Sequence, residues 1–147
     1  MSDCIFCKMA KGEIPTVKIW EDDEFFAILD LYPNTKGMTL VIPKNHYDSD
    51  IFEMDEDTYQ KYLLAVKKVV KILEKGLKVK RVALVFEGLL INHAHVKLYP
   101  VHGLNEKFES FGIEGKYFDK YPGYTTTIMG PKADNLEEVS EEIKNNQ

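Results

Sequence analysis

The sequence predicts a single α+β domain, on the strength of its length, one amphipathic helix and five short β-prone segments. The chain has 147 residues, of which 44% are hydrophobic and 29% are charged, which is enough for one hydrophobic core and leaves little for a second. No repeat, linker or low-complexity tract marks a boundary. We therefore assign residues 1–147 to one domain, with residues 103–147 as a C-terminal extension.

The N-terminal third of the chain begins with a predicted helical turn and continues into a hairpin. Residues 4–12 form the turn, which ends at Gly12. Two β-prone runs follow at residues 17–21 and 25–29, and the two aspartates between them favour a tight connection. These segments predict the first helix and the first two strands.

Three further strands and a final helix are predicted farther along the chain. Residues 30–37 contain proline, asparagine and glycine and are typical of a loop. Residues 38–42, 81–86 and 93–101 are β-prone and become the third, fourth and fifth strands. Residues 134–144 are predicted to form the last helix.

The longest predicted element is an amphipathic helix over residues 55–75. Asp55 is a candidate N-cap, and Gly76 is a candidate C-terminal stop. One face is apolar, with residues at spacings of three and four: Tyr59, Tyr62, Leu63, Val66, Val69, Val70 and Leu73. The opposite face carries Lys67, Lys68, Lys71 and Lys75. We interpret that face as solvated, the alternative being a contact with a polyanion.

The fifth predicted strand carries two histidines and a lysine on one face. Side chains alternate along a strand, so His93, His95 and Lys97 share a face while the apolar residues between them point to the core. Imidazole is largely uncharged near neutral pH and can attack phosphorus, giving a phosphoramidate that water later breaks. We interpret His95 as the candidate nucleophile and Lys97 as the cationic partner of the phosphate. A polar face without a function is the alternative.

Cys4 and Cys7 are the only cysteines and form a Cys-x-x-Cys pair. Such a pair supplies two of the four ligands that a tetrahedral zinc needs, and His46 and His93 are candidates for the other two. A thioredoxin-like redox pair is the alternative. Redox pairs of that type commonly follow a strand, and no strand is predicted before Cys4.

Charge and hydropathy restrict the classes of partner. The formal net charge of -5 argues against broad electrostatic binding to nucleic acid or to an anionic membrane. The first residues do not form a signal peptide, and no segment approaches the roughly 18 apolar residues of a membrane span. We expect a cytoplasmic protein without nucleic-acid or membrane partners, whose two cysteines do not form a disulfide.

Several motifs, in the same order along the chain, resemble the histidine-triad superfamily, which includes nucleotide-binding hydrolases and the galactose-1-phosphate uridylyltransferases. The motifs are CIFCKM at 4–9, GEIP at 12–15, EDD at 21–23, LDLYP at 29–33, LVIPKNH at 40–46 and HAHVK at 93–97. Their shared order is much more specific than any one of them, and the match extends from about residue 4 to residue 100.

The resemblance implies a five-stranded antiparallel sheet with one long helix and short terminal helices, assembled as a homodimer. The middle histidine of the motif is the family's nucleophile, which matches His95, and Asp30 matches the carboxylate that binds the ribose hydroxyls. The positions that enclose the base match Phe6, Met9, Ile28 and Leu31. Zinc-bearing members use ligands that match Cys4, Cys7, His46 and His93, which implies a structural zinc.

Three departures from the family pattern bear on activity. Lys97 stands at the third histidine of the triad, Met38 stands where many relatives have histidine, and residues 88–92 lack a glutamine that often contacts the phosphate. We predict a nucleotide hydrolase or nucleotidyl transferase that acts on a purine phosphoramidate or a dinucleoside polyphosphate through a covalent nucleotidyl-histidine. The alternatives are a slow or inactive nucleotide-binding or sensing protein and a zinc-stabilised interaction module.

Overall fold

The computed structural model describes residues 3–108, 119–120 and 130–147. Its strands are β1 (Lys18–Glu21), β2 (Phe25–Leu29), β3 (Thr39–Pro43), β4 (Val82–Val85) and β5 (Val96–Pro100), and its α-helices are α1 (Ile5–Ala10), α2 (Glu56–Gly76) and α3 (Leu136–Asn145). The strands form one antiparallel sheet in the order β1-β2-β3-β5-β4, which confirms the predicted α+β class. Much of the predicted C-terminal extension, residues 109–118 and 121–129, lies outside the described residues. No described helix is long and apolar enough to cross a membrane.

Helices cover both faces of the sheet, and every residue of β2 and β3 is consequently buried. Helices α2 and α3 pack on one face, where the core includes Phe25, Ala27, Leu29, Val41, Val96, Leu98, Tyr62, Val66, Val69, Leu73, Val139 and Ile143. Helix α1 packs on the opposite face, against a smaller cluster of Phe6, Phe26, Ile28, Leu40 and Ile42. This smaller cluster borders the candidate site.

Helix α2 begins as its sequence predicts, because the Asp55 side chain accepts a hydrogen bond from the Thr58 N–H at 3.0 Å. Its buried face is narrower than predicted. The sequence predicts Leu63 on that face, but its side chain is exposed in the structure. The sheet covers only the part of the helix surface centred on Tyr62, Val66 and Val69. The four lysines of the opposite face are exposed, as predicted.

Gly76 has a packing role that the sequence did not indicate. It is the last residue of α2, and Leu77 forms the C-cap. A Cβ atom at Gly76 would lie 2.7 Å from the Cα atom of Ile143 in α3, which is too close for any side chain. Glycine here therefore lets α3 lie directly against the end of α2.

The fifth strand begins three residues later than predicted, at Val96. The N–H of Ala94 donates to the Tyr47 carbonyl at 3.0 Å, and that of His93 donates to the Ile91 carbonyl at 2.9 Å. Both bonds go to loop residues and not to a neighbouring strand. The predicted alternation nevertheless holds, since Ala94 and Val96 belong to the core under α2 whereas His93 and His95 contact Phe6 on the other face.

Candidate functional site

The loop after β3 and the loop before β5 bring two of the candidate metal ligands, His46 and His93, close together. His46 follows β3, and His93 precedes β5, the strand that pairs with β3. The Asn92 side chain accepts a hydrogen bond from the Ser49 N–H at 2.9 Å, which ties the loop after β3 to the loop before β5. The ring centroids of His46 and His93 lie 4.9 Å apart, and the two rings meet edge to face.

Helix α1 brings Cys4 and Cys7 to these two histidines. One ligand atom from each of Cys4, Cys7, His46 and His93 can be chosen so that all four lie within 4.8 Å of one another. Nδ1 of His93 is 3.3 Å from Sγ of Cys4 and 3.5 Å from Sγ of Cys7, and Nδ1 of His46 is 3.4 Å from Sγ of Cys7. Tetrahedral zinc, with bonds of about 2.3 Å to sulfur and 2.0 Å to nitrogen, separates neighbouring sulfur and nitrogen ligands by about 3.5 Å. The donor set and its spacing can therefore hold a metal.

The backbone fixes which nitrogen of His93 faces the sulfurs. Nε2 of His93 lies 2.8 Å from the Pro43 carbonyl oxygen, and because a carbonyl only accepts, Nε2 carries the hydrogen and donates. The neutral ring then presents the lone pair of Nδ1 to Cys4 and Cys7. This second hydrogen bond is the kind of support that metal-binding histidines use to hold one tautomer.

The cysteine pair does not have the environment of a redox-active thiol. Burial, with the Cys4 thiol beside it, raises the pKa of the Cys7 thiol above its ordinary value. Reactive cysteines of Cys-x-x-Cys oxidoreductases instead have a lowered pKa. Within the described residues, the first strand follows Cys7 and none precedes it. These features argue against the redox alternative.

His95 is buried and its ring is held in one tautomer. Nδ1 of His95 lies 2.8 Å from the carbonyl oxygen of His93, so Nδ1 carries the hydrogen and donates. In the neutral ring Nε2 then bears the lone pair, the electronic state that a nucleophile needs. The ring also lies 5.3 Å from that of Phe6, at the edge of the apolar cluster under α1.

Electrostatics favours the neutral form of His95. Burial lowers the pKa of its imidazole, and the charge of Lys97 lowers it further. The hydrogen bond to the His93 carbonyl and the carboxylates of Glu87 and Asp30 act in the opposite direction. The balance is a lowered pKa, so the ring stays unprotonated at neutral pH.

Lys97 lies on the same side of the sheet and is paired with a carboxylate that sequence analysis did not identify. Nζ of Lys97 is 3.0 Å from Oε1 of Glu87. Strand pairing explains the contact, because Lys97 of β5 is opposite Val85 of β4 and Glu87 follows two residues later on the same face. The alternation of β4 could have indicated Glu87 only if the strand register had been known.

The residues predicted to enclose a base are partly assembled. Phe6 and Ile28 belong to one buried cluster, and Met9 packs against it. Leu31 lies outside this cluster, with 43% of its surface exposed. Asp30 follows β2, and its Oδ1 accepts a hydrogen bond from the Tyr32 N–H at 2.7 Å, which fixes the carboxylate in a turn.

Comparisons with known proteins agree with this architecture. The family model described as HIT domain matches residues 11–103. An uncharacterized HIT-like protein of Methanocaldococcus jannaschii is 36% identical over 113 residues, covering 74% of this chain and 87% of that protein. An adenosine 5'-monophosphoramidase of Schizosaccharomyces pombe is 44% identical over 70 residues, covering 48% of this chain and 52% of that protein. A Zn-bound histidine triad family protein from Mycobacterium smegmatis aligns with a TM-score of 0.70 at 23% identity, covering 99% of this chain and 93% of that chain.

Proposed function

Since the chain belongs to the HIT domain family, we propose that it is a nucleotidyl hydrolase or transferase that works through a covalent bond to His95. The observation that carries the proposal is the tautomer of this buried ring. Nδ1 is committed to the His93 carbonyl, and Nε2 of the neutral imidazole is left with its lone pair. A cation at Lys97 and a carboxylate at Asp30 are close enough to act on His95 electrostatically.

The reaction we propose has two displacements at phosphorus. Nε2 of His95 attacks the phosphorus next to the ribose, a P–N bond forms, and the bond from phosphorus to the leaving group breaks. The leaving group departs with the electron pair and takes up a proton from solvent. Water or another acceptor then attacks the same phosphorus and releases a proton to solvent, the P–N bond breaks with its electron pair returning to Nε2, and the imidazole is again neutral. The phosphoryl oxygens gain charge in both steps, and Lys97 supplies the compensating cation.

An adenylyl phosphoramidate is the substrate we favour. The support is the name of the Schizosaccharomyces pombe relative, an adenosine 5'-monophosphoramidase, which aligns with about half of this chain. Met9, which is partly exposed and packs against the buried Phe6 and Ile28, offers an apolar contact for a purine ring, and Asp30 offers oxygens to the ribose hydroxyls. Dinucleoside polyphosphates are the second substrate class to be tested.

We also propose that Cys4, Cys7, His46 and His93 hold a structural zinc. Two thiolates and two imidazoles form a closed set of four ligands, a composition typical of structural sites. Zinc there would connect α1 to the loop that follows β3 and to the loop that precedes β5, the strand that pairs with β3. A cytoplasmic location suits this proposal, because a reducing compartment keeps both cysteines available as ligands.

The proposed reaction is tested by incubating the protein with adenylyl phosphoramidates, diadenosine polyphosphates and their guanylyl counterparts, each labelled at the phosphorus next to the ribose. We expect release of the nucleoside monophosphate and, after rapid quenching at alkaline pH, one labelled protein species with the acid lability of a phosphoramidate. Product without a labelled intermediate would contradict the covalent mechanism. Absence of product from every compound would contradict the enzymatic proposal.

A slow or inactive nucleotide-binding protein is the second candidate function. The specific observation in its favour is that the third triad position is lysine and that this lysine is paired with Glu87. A lysine ammonium gives up its proton at neutral pH less readily than an imidazolium does, so it is the poorer proton donor to a leaving group. Tight binding of adenosine monophosphate combined with negligible turnover of the whole panel would select this candidate.

Asp30→Asn is expected to weaken binding of adenosine monophosphate by roughly 10-fold or more, since charged hydrogen bonds to the ribose are worth about 1.5–3 kcal/mol. Asparagine keeps the side-chain oxygen that accepts from Tyr32 N–H, so the turn is preserved. The 2′,3′-dideoxy nucleotide lacks the hydroxyls and should bind both proteins with similar affinity. Calorimetry with the two ligands measures the difference, and equal weakening of both would mean that Asp30 acts only on the structure.

A further inference from the structure

Glu87 and Lys97 form an ion pair in which both side chains are mostly buried. Nζ of Lys97 and Oε1 of Glu87 are 3.0 Å apart, and the side chains are 20% and 8% exposed, respectively. Other ion pairs of the described residues, such as Lys61 with Asp57, lie at the surface. A mostly buried pair costs desolvation energy for both charges, so it contributes little net stability compared with apolar residues of the same size. The pair therefore invites an explanation other than stability.

The pair lies beside the proposed nucleophile. Val85 of β4 is opposite Lys97 of β5, Glu87 follows Val85 by two residues, and His95 precedes Lys97 by two residues. The charges of Glu87 and Lys97 both act on the His95 imidazole, in opposite directions. The three side chains therefore form one group on the face of the sheet that also carries the apolar cluster.

A lysine at this position needs to be held in place. Its four-carbon side chain is flexible, and holding it in one rotamer costs conformational entropy that a bonding partner has to offset. The histidine that it replaces in the family pattern is a short, rigid ring. The ammonium has three N–H donors, so one directed at Glu87 leaves two for other acceptors such as phosphoryl oxygens.

We propose that Glu87 is a positioning residue that holds the ammonium of Lys97 beside His95, so that its other N–H groups meet the phosphate of the bound nucleotide. The inference rests on the proposed function and adds to it a residue outside the histidine motif. It also explains how lysine can stand at the third position of the triad. The carboxylate restrains the longer side chain and compensates its charge while no phosphate is bound.

Glu87→Ala is expected to lower kcat by about 10-fold or more and to raise KM by a smaller factor of about 3-fold, because a displaced ammonium weakens the phosphate contact in the ground state and weakens it further in the transition state. Glu87→Gln keeps an oxygen that can accept from Lys97 and should recover part of the loss. The matched control is Asp57→Ala, which breaks the exposed pair of Asp57 with Lys61 and should leave both constants unchanged. Thermal melting of each variant shows whether the fold is intact.

The decisive comparison repeats Glu87→Ala in a Lys97→Met protein. If Glu87 acts through Lys97, Glu87→Ala has no further effect on kcat in the Lys97→Met protein. The effects of the two substitutions are then coupled and do not add. An equal loss in both backgrounds would overturn the inference, as would unchanged kinetics of Glu87→Ala alone.

Binding data separate failure of this inference from failure of the proposed function. The ratio of the adenosine affinity to the adenosine monophosphate affinity isolates the phosphate contact and requires no turnover. We expect Glu87→Ala to alter this ratio at least 3-fold in the wild-type background and not in the Lys97→Met background. An inactive wild-type protein would refute the proposed reaction, whereas a ratio independent of Glu87 in both backgrounds would refute the positioning role.

Discussion

We expect His95→Ala to abolish turnover of adenylyl phosphoramidates, with a loss of at least about 1000-fold in kcat. Removing the attacking atom leaves no route to the P–N bond, whereas the contacts that hold the nucleotide stay in place. Binding of adenosine monophosphate should therefore stay within about 10-fold of the wild-type affinity. The labelled protein species of the quench experiment should disappear in the same variant.

His102→Ala is the matched control for this experiment. His102 is exposed, and its Nε2–H donates to the Lys36 carbonyl at 2.9 Å. Its replacement should leave both turnover and labelling unchanged. Wild-type turnover in His95→Ala would mean that another residue or water attacks the phosphorus directly.

The sheet and the long helix could be predicted because their signals are local. Alternating or continuous apolar runs locate β2 and β3, and apolar spacing of three and four locates α2 together with its N-cap at Asp55. The exposure of Leu63 could not be predicted in the same way. It depends on how wide an arc of α2 the sheet covers, which is a property of packing and not of the helix.

The histidine face was predicted with the correct side chains but with a strand that begins three residues too early. Period-two alternation correctly separates His93 and His95 from Ala94. The N–H of Ala94 nevertheless donates to Tyr47 in the loop after β3, and the N–H of His93 donates to Ile91 in the loop before β5, so neither donates to a neighbouring strand. Extended backbone gives the same alternation with or without a strand partner, so the sequence pattern does not distinguish the two cases.

Glu87 illustrates what the sequence does not reveal. Nothing near Glu87 in the chain marks it, and its contact with Lys97 arises from the register between β4 and β5. The proposed metal ligands present a related difficulty. The Cys-x-x-Cys spacing is local, but His46 and His93 meet only because β3 and β5 are neighbours in the sheet. Contacts between distant segments require the topology, which the resemblance to a known family supplied.

Loss of the proposed zinc should have the second large effect. Metal analysis of protein purified without a polyhistidine tag should find one zinc per chain, and Cys4→Ser should lose it. Metal-binding free energy contributes to folding free energy, and for a chain of this length each kcal/mol corresponds to roughly 3 °C in Tm. We therefore expect Cys4→Ser, or a chelator added to the wild-type protein, to lower Tm by several degrees.

The effect of metal loss should also reach the proposed nucleotide site. Phe6 lies between Cys4 and Cys7 in α1, and its ring is in contact with those of His93 and His95. A metal bound by both cysteines and by His93 would fix Phe6 against His95, so Cys4→Ser should weaken binding of adenosine monophosphate although no residue touching the nucleotide has changed. Ile5→Ser is the matched control, because Ile5 is an exposed neighbour that offers no ligand in the wild type. A metal-free wild-type protein that melts and binds the nucleotide equally well with and without chelator would refute both the zinc and its link to the site.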